Sequence, residues 1–161
     1  MIILVMGVSG SGKSSVGELL AKSLHWEFSD GDSFHPSANV DKMRQGIPLT
    51  DADRMPWLKD IQAAIKQWLQ ENKNCVLVCS ALKESYRQML LVDHEQMKLV
   101  YLKGSFELIK QRLQERSHHY MPLDLLQSQF DTLEEPTDAI KVDISEPPEV
   151  LVQKIMASLG I

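Results

Sequence analysis

Short runs of apolar residues alternate along this chain with longer segments in which apolar residues recur every three or four positions. The short runs are typical of parallel strands buried on both faces, and the longer pattern is typical of helices packed on one face. The short runs predict strands over residues 2–6, 26–28, 75–79, 99–102 and 140–144. The helical pattern predicts helices over residues 13–24, 38–44, 53–71, 84–91, 106–116, 123–130 and 147–158.

This alternation predicts an α/β fold in which a five-stranded parallel sheet carries helices on both faces, with right-handed crossovers between strands. A chain of 161 residues is most simply one domain, here residues 1–161, because no repeat or flexible linker divides it. The segment 117–122, which reads SHHYMP, is polar and ends in proline between two predicted helices. We expect it to form a small mobile lid.

Composition and charge exclude several classes of partner. The net charge is −5 and the isoelectric point is near 5.5, whereas a surface that follows nucleic-acid phosphates normally needs excess Lys and Arg. No apolar run has the length needed to span a bilayer, and no basic stretch precedes residues 2–6 as it would in a signal peptide. We therefore expect a cytoplasmic protein whose partners include neither nucleic acid nor a membrane.

The two cysteines, Cys75 and Cys79, lie in one apolar run. In a strand they would be separated by roughly 13 Å, since each residue advances about 3.3 Å. A disulfide needs Cα atoms within about 7 Å, so these two cannot pair with each other. We expect buried thiols in a reducing compartment.

A phosphate-binding loop follows the first predicted strand. Residues 7–14 read GVSGSGKS, which fits G-x-x-x-x-G-K-[ST] between a strand and a helix. Glycines let backbone N–H groups curl around phosphate oxygens, while Lys13 reaches the β- and γ-phosphates and Ser14 holds Mg²⁺. This loop predicts a nucleotide-binding protein. The residues expected at the nucleotide are Gly7, Val8, Ser9, Gly10, Ser11, Gly12, Lys13, Ser14 and Ser15.

The class of nucleotide-binding protein depends on the remaining motifs. A GTPase would carry Asn-Lys-x-Asp and Asp-x-x-Gly; residues 72–75 read NKNC, and the sequence contains no Asp-x-x-Gly. A motor ATPase would place a carboxylate after a central strand, yet Ser80 follows residues 75–79. Magnesium therefore needs another acidic partner, and Asp30 and Asp32 after the second strand are available.

Chemistry-bearing side chains follow the first three predicted strands. In an open α/β sheet, ligands bind beyond the carboxyl ends of the strands, so these loops are expected to share one cleft. A small-molecule kinase needs a carboxylate that orients the acceptor hydroxyl and cations that hold phosphate and acceptor. Asp30 and Asp32 can divide this work, although Asp also commonly caps turns and helices. The set is Lys13, Ser14, Asp30, Asp32, His35, Ser80 and Lys83.

Several segments together resemble the gluconate kinases, small P-loop kinases related in fold to shikimate kinase and the nucleoside monophosphate kinases. These segments read MGVSGSGKS, DGDSFHPSANVDKMRQGIPLTDADRMPWL, CSALKESYR, VYLKGSFELIKQRL and SQFDTLEEP, and they run from the first strand to about residue 136. The resemblance implies a three-layer P-loop kinase fold with a lid. It also implies Mg²⁺-dependent transfer of the ATP γ-phosphate to the 6-hydroxyl of D-gluconate, giving 6-phospho-D-gluconate and ADP.

The resemblance assigns the two carboxylates different tasks: Asp30 serves the metal shell and Asp32 the acceptor hydroxyl. Gluconate carries one carboxylate, which a guanidinium binds through two parallel hydrogen bonds. We expect Arg54 to bind it; the alternative is that Arg54 pairs with Asp51. His35 is expected either to bind the substrate or to fix its turn. Positive charge around the acceptor is expected from Lys83 and Arg87.

Arg112 and Arg116 are four residues apart on the helix that leads to the expected lid, and we expect them to stabilise the transferring phosphoryl group. Surface pairing with Glu107 or Glu115 is the alternative. Before the lid, related kinases read Arg-x-Gly-His-Phe or a near variant, whereas His118 replaces the glycine here. Trp57 is expected in the core.

Two other functions remain open: a kinase for shikimate or another polyhydroxy acid, and a nucleotide-dependent switch without turnover. The resemblance also implies a possible homodimer.

Overall fold

The computed structural model of the chain describes residues 1–115 and 123–161. Within these ranges the chain forms five strands, seven α-helices and a short 3-10 helix at Gly31–Phe34. The strands are β1 Ile2–Met6, β2 Glu27–Asp30, β3 Cys75–Val78, β4 Met97–Lys103 and β5 Ile140–Asp143. The helices are α1 Lys13–Leu24, α2 Ser37–Arg44, α3 Asp51–Gln70, α4 Glu84–Leu90, α5 Phe106–Glu115, α6 Leu123–Thr132 and α7 Pro148–Leu159.

The strands form one parallel sheet in the order β2-β3-β1-β4-β5, which confirms the predicted architecture. β1 lies at the centre, and its five residues are all buried because helices cover both faces of the sheet. Ile3 and Val5 pack on the face covered by α1, α5 and α7. Ile2, Leu4 and Met6 pack on the face covered by α3 and α4.

β2 is an edge strand with one neighbour, and it extends beyond its predicted end at residue 28. It continues to Asp30, which pairs with Val78 of β3, although Ser29 and Asp30 are polar. The apolar pattern therefore ends before the backbone pairing ends. This extension places Asp30 at the carboxyl edge of the sheet.

α3 begins at Asp51, two residues before the predicted start, because Thr50 forms a capping box. The Thr50 hydroxyl accepts a hydrogen bond from the Asp53 N–H at 3.1 Å, and the Asp53 carboxylate accepts one from the Thr50 N–H at 2.9 Å. The earlier start puts both Asp51 and Arg54 in the first turn of the helix.

Both cysteines are buried and unpaired, as the sequence predicts. Burial raises the pKa of Cys75 to about 11 and that of Cys79 to about 12, so both remain thiols at neutral pH. None of the helices in the described part of the chain is long and apolar enough to cross a membrane.

Candidate active site

A cavity of about 400 Å³ opens at the carboxyl ends of β1, β2 and β3. One wall is the phosphate-binding loop, and another is the turn after β2. The remaining walls come from α2, α3, the segment after β3, and the helices α5 and α6. Its lining residues are Ser9, Gly10, Gly12, Lys13, Ser14, Ser15, Asp30, Asp32, His35, Val40, Met43, Arg44, Pro48, Leu49, Arg54, Trp57, Ser80, Leu82, Leu113, Leu125, Ser128 and Gln129.

The cavity brings together most of the residues expected to bind nucleotide and acceptor. Those that line it are Ser9, Gly10, Gly12, Lys13, Ser14, Ser15, Asp30, Asp32, His35 and Arg54. Six others do not line it: Gly7, Val8, Ser11, Lys83, Arg87 and Arg112. Arg116 and the lid-like segment 117–122, with His118, lie outside the described residues.

Two glycines give the phosphate-binding loop its shape. Gly10 has φ 80° and Gly12 has φ 94°, a left-handed backbone conformation that other residues rarely adopt. At Gly10 a Cβ would also lie 2.9 Å from Cγ of Leu113, so a side chain there would collide with α5. The loop therefore turns directly into the N-terminus of α1, where backbone N–H groups and the helix dipole favour an anion.

Gly7, Val8 and Ser11 support the loop from behind the cavity. A Cβ on Gly7 would lie 2.6 Å from Oγ of Ser11, which is buried and has no hydrogen-bond partner in the part of the chain that the structure describes. The Val8 carbonyl accepts a hydrogen bond from the Ser11 N–H at 3.2 Å and another from Nζ of Lys13 at 3.0 Å. These contacts hold the Lys13 ammonium against the loop.

Lys13 shares its surroundings with both candidate carboxylates. Burial lowers the pKa of Lys13, while the charges of Asp32 and Asp30 act in the opposite direction. The ammonium and the two carboxylates therefore interact electrostatically across one cavity.

Asp30 has a capping contact as well as a place in the cavity. Its Oδ1 accepts a hydrogen bond from the Asp32 N–H at 2.9 Å at the start of the 3-10 helix. The turn-capping alternative raised for Asp30 therefore describes a contact that is present. Asp32 differs, because its side chain is 67% exposed and its Oδ1 lies 3.9 Å from Nε2 of His35.

The turn that carries these carboxylates is packed tightly. At Gly31 a Cβ would lie 2.9 Å from the Val78 carbonyl oxygen, so only glycine fits against β3 there. Nε1 of Trp57 donates a hydrogen bond to the Gly31 carbonyl at 2.7 Å. Trp57 is 1% exposed, which confirms its prediction as a core residue.

His35 is fixed by stacking and by one polar contact. Its ring lies parallel to that of Trp57 with centroids 4.2 Å apart, and Nδ1 lies 3.2 Å from the Asn39 amide nitrogen. Burial lowers the pKa of His35, and this effect exceeds the opposing influence of Asp32. These contacts are compatible with a turn-fixing role, and His35 also borders the cavity, where it could meet a substrate.

Arg54 borders the cavity from the first turn of α3. Its Nη1 donates a hydrogen bond to the Tyr86 hydroxyl at 3.0 Å. Asp51 does not pair with Arg54, because its carboxylate accepts hydrogen bonds from the Tyr86 hydroxyl and from Nζ of Lys83. Lys83 is thus turned toward Asp51 rather than toward the cavity.

Arg87 lies in the interior and does not line the cavity, because α4 turns this position inward. Only 2% of the residue is exposed. Its guanidinium donates to the Ala81 carbonyl at 2.8 Å, to the Glu134 carbonyl at 2.7 Å and to the Glu84 carboxylate at 3.0 Å. Arg87 joins α4 to the segment after α6.

Arg112 points toward the end of the sheet. Its guanidinium donates a hydrogen bond to the Ile144 carbonyl, just after β5. Within the described ranges neither Glu107 nor Glu115 forms an ion pair with it, so surface pairing, the alternative for this residue, is not what the structure contains.

Comparisons with known proteins agree with this geometry. A family model described as "Shikimate kinase" matches residues 9–159. The "Thermoresistant gluconokinase" of Escherichia coli strain K12 is 44% identical over 155 residues, which cover 94% of this chain and 89% of that protein. The "Gluconokinase" of Arabidopsis thaliana is 44% identical over 170 residues, with coverage of 96% and 90%.

A solved structure is similar to this chain in both fold and sequence. The crystal structure of a gluconokinase from Sinorhizobium meliloti 1021 superposes with a TM-score of 0.85 at 44% identity, covering 98% of this chain and 90% of that one. The chain belongs to the gluconokinase family. Its α/β P-loop kinase fold and its family, both predicted from sequence, are thereby confirmed.

The sequence patterns did not identify Arg44, Gln129 or Tyr86 as candidate site residues. Gln129 of α6 lines the cavity and binds Ser9, and Arg44 lines the cavity at the last turn of α2. Tyr86 does not line the cavity but holds Arg54. All three fall inside segments that carry the family resemblance, which is a usable signal.

The arrangement suits phosphoryl transfer between two anionic molecules. One end of the cavity offers loop N–H groups and the Lys13 ammonium, and guanidinium groups border the cavity at Arg44 and Arg54. Asp30 and Asp32 supply the carboxylates. Catalysis of this reaction depends mainly on positioning and on charge stabilisation, and a cavity lined by charges of both signs suits these requirements.

Proposed function

We propose that this chain is an ATP-dependent gluconokinase, which transfers the γ-phosphate of ATP to the 6-hydroxyl of D-gluconate and releases ADP and 6-phospho-D-gluconate. The observation that carries the proposal is a single cavity lined by Lys13 and Ser14, by Asp30 and Asp32, and by Arg54. A phosphate loop alone would fit many classes of protein. Carboxylates and a guanidinium in the same cavity fit a kinase with an anionic acceptor.

The proposed acceptor matches this distribution of charge. Gluconate is a linear polyol with a carboxylate at one end and the reacting hydroxyl at the other. The Arg54 guanidinium binds the carboxylate, and the Asp32 carboxylate accepts the hydrogen bond of the 6-hydroxyl and takes its proton. Lys13 stabilises the charge on the transferring phosphoryl oxygens.

ATP and magnesium belong to this proposal. Magnesium prefers oxygen ligands and usually takes one or two from the protein, with phosphates and water completing its shell. Among the described residues no group of three or more His, Cys, Asp or Glu side chains could hold a metal ion. The Ser14 hydroxyl and the Asp30 carboxylate, which line the same cavity, fit a nucleotide-bound Mg²⁺ and would hold it near the phosphates. The ion would supply charge neutralisation there.

Arg112 keeps its proposed role at the phosphoryl group under one condition. To reach the cavity it must release the Ile144 carbonyl, so its role requires a different side-chain conformation when substrates bind. For Arg116 the proposal rests on its position one turn after Arg112 in the sequence. A cytoplasmic location and a homodimer also stay predictions; light scattering of the purified protein tests the latter.

The proposed function is tested by a panel of acceptors. ADP release with Mg-ATP is measured with D-gluconate, shikimate, a nucleoside monophosphate and no acceptor. We expect the highest kcat/KM for gluconate and negligible release without acceptor. Faster turnover of shikimate or of the monophosphate would refute the assignment, and release that no acceptor stimulates would indicate a nucleotide switch.

A further inference from the structure

Asp51 and Arg54 form an unusual pair at the start of α3. They are three residues apart on one helix, the spacing at which opposite charges commonly attract each other. They do not contact directly, because the Tyr86 hydroxyl lies between them. It accepts a hydrogen bond from Nη1 of Arg54 at 3.0 Å and donates one to Oδ1 of Asp51.

The negative charge of Asp51 is directed elsewhere. Nζ of Lys83 lies 2.9 Å from one Asp51 oxygen and 3.1 Å from the other. The hydrogen bond from Tyr86 and the contact with Lys83 lower the pKa of Asp51, so its carboxylate stays charged; the charge of Arg54 contributes a smaller effect in the same direction without a direct contact. A carboxylate at this position is favourable for the helix itself, because the first turn attracts negative charge.

The contacts of Arg54 differ from those of Asp51. It forms no ion pair with any residue in the two described ranges, and its hydrogen-bond partner is a neutral phenol. A guanidinium has five N–H donors, of which Tyr86 engages only those on Nη1. The Tyr86 ring also lies close to both cations, 5.7 Å from Cζ of Arg54 and 5.6 Å from Nζ of Lys83. Such contacts stabilise a cation without neutralising it.

We propose that Tyr86 and Lys83 are positioning residues that prevent Asp51 from neutralising Arg54, and so preserve a guanidinium for the acceptor carboxylate. Neither residue lines the cavity, so each acts through Arg54. This inference rests on the proposed function, because Arg54 is the group that binds the gluconate carboxylate there. It gives Lys83 a role different from direct substrate binding.

The first test removes the hydroxyl that separates the pair. In Tyr86→Phe the ring remains, and we expect Arg54 and Asp51 to pair directly. The KM for gluconate should rise about 10- to 100-fold, the range that a charge-assisted hydrogen bond provides. Both kcat and the KM for ATP should stay within about 2-fold of the values for the unaltered chain, because the contact between Tyr86 and Arg54 does not stabilise the phosphate site. A tenfold change in either value would require about 1.4 kcal/mol.

The second test restores the charge by removing its competitor. In the double variant Tyr86→Phe/Asp51→Asn, Arg54 has no carboxylate to pair with, so the gluconate KM should return to within about 3-fold of normal. Lys83→Met should raise the gluconate KM as well, because Asp51 is then free to attract Arg54. The matched control is Lys59→Met, which removes an exposed lysine of α3 that lies outside the cavity.

Two outcomes would overturn the inference: an unchanged gluconate KM in Tyr86→Phe, or a raised KM that Asp51→Asn does not restore. Arg54→Ala separates this failure from failure of the proposed function, because a normal gluconate KM in that variant would remove Arg54 from the acceptor site altogether. A crystal structure of Tyr86→Phe gives a result independent of turnover. Arg54 and Asp51 should then lie within about 4 Å, and a wider separation would refute the inference.

Discussion

Gln129 and Ser9 lie 120 positions apart in the chain, yet the amide of Gln129 makes two hydrogen bonds with Ser9. Its Oε1 accepts the Ser9 N–H at 2.7 Å, and its Nε2 donates to the Ser9 hydroxyl at 3.0 Å. Both residues line the cavity. A side chain from α6 therefore helps to hold the phosphate-binding loop.

Because of this contact, a negative charge at position 129 is expected to weaken the binding of ATP. Gln129→Glu keeps an acceptor for the Ser9 N–H but places a negative charge beside the expected phosphates. We expect the KM for ATP to rise about 10-fold, since one unit charge at this range costs on the order of 1–3 kcal/mol at an effective dielectric constant near 20. Steady-state ADP release at varied ATP measures this change.

The matched control is Gln127→Glu on the same helix. Gln127 is exposed and its amide binds Asp131, so the variant has the same net charge but places it outside the cavity. Its ATP KM should be nearly normal. Equal values for the two variants would mean that the effect comes from net charge or from α6 stability, not from contact with the loop.

Much of the fold follows from local sequence because buried parallel strands and amphipathic helices have different periods. β1 and α1 have the bounds that the pattern predicts, Ile2–Met6 and Lys13–Leu24. β4 is longer than predicted, since Lys98 and Lys103 join the ladder through backbone pairing that does not depend on apolar side chains, and the buried Met97 adds one residue at its start. Hydropathy thus identifies the strands better than it locates their ends.

The site is predictable only where it follows from topology. Asp30, Asp32 and His35 share the cavity with Lys13 because the carboxyl ends of neighbouring parallel strands meet at one edge of the sheet. The inward direction of Arg87 is set by contact with the Glu134 carbonyl, 47 residues later, which no local pattern reveals. The same limit applies to the contact between Gln129 and Ser9.

Arg87 is expected to contribute stability. Arg87→Met keeps most of the side-chain volume but leaves the Ala81 and Glu134 carbonyls without their donors. The Ala81 carbonyl contact is buried, whereas the Glu134 carbonyl contact is only partly buried. An unsatisfied buried acceptor costs about 1–3 kcal/mol, so the free energy of unfolding should fall by roughly 2 kcal/mol. The pair with Glu84 adds little, because that carboxylate is 60% exposed.

Urea unfolding followed by circular dichroism measures this difference. Lys66→Met is the matched control, since Lys66 is exposed on α3 and makes no hydrogen bond or ion pair with the described residues. We expect the control to stay within about 0.5 kcal/mol of the unaltered chain. A loss below about 1 kcal/mol in Arg87→Met would show that water replaces the guanidinium at the two carbonyls.

His35 is expected to make stability depend on pH. Burial holds its pKa below the usual 6.5 in the folded chain, so the unfolded chain takes up a proton first as the pH falls. Folded stability should therefore decrease as the pH drops below about 6.5. In His35→Gln the dependence between pH 7.5 and 5.5 should be less steep, even if loss of stacking on Trp57 lowers stability throughout. His94→Gln, at an exposed site, should keep the original slope.

Substitutions of Asp30, at the end of β2, and of Asp32, in the following 3-10 helix, are predicted to have different effects. Asp30 caps the 3-10 helix through the Asp32 N–H, and Asp30→Asn keeps an oxygen that can accept this hydrogen bond. The variant should therefore fold normally while losing the charge that favours a cation near Ser14. We expect a higher Mg²⁺ requirement and partial recovery of the rate at high Mg²⁺.

Asp32→Asn should instead lower kcat at any magnesium concentration. The Asp32 carboxylate is 67% exposed and makes no hydrogen bond with another described side chain, so the substitution should leave the turn intact. A positioned general base contributes on the order of 10²–10⁴-fold, and we expect a loss in this range with ATP binding unchanged. Proton transfer occurs late in a loose phosphoryl-transfer transition state, so part of the loss reflects orientation of the hydroxyl. If magnesium restores the rate of Asp32→Asn but not that of Asp30→Asn, the two residues have each other's roles. A near-normal kcat in Asp32→Asn would show that this carboxylate takes no part in the reaction.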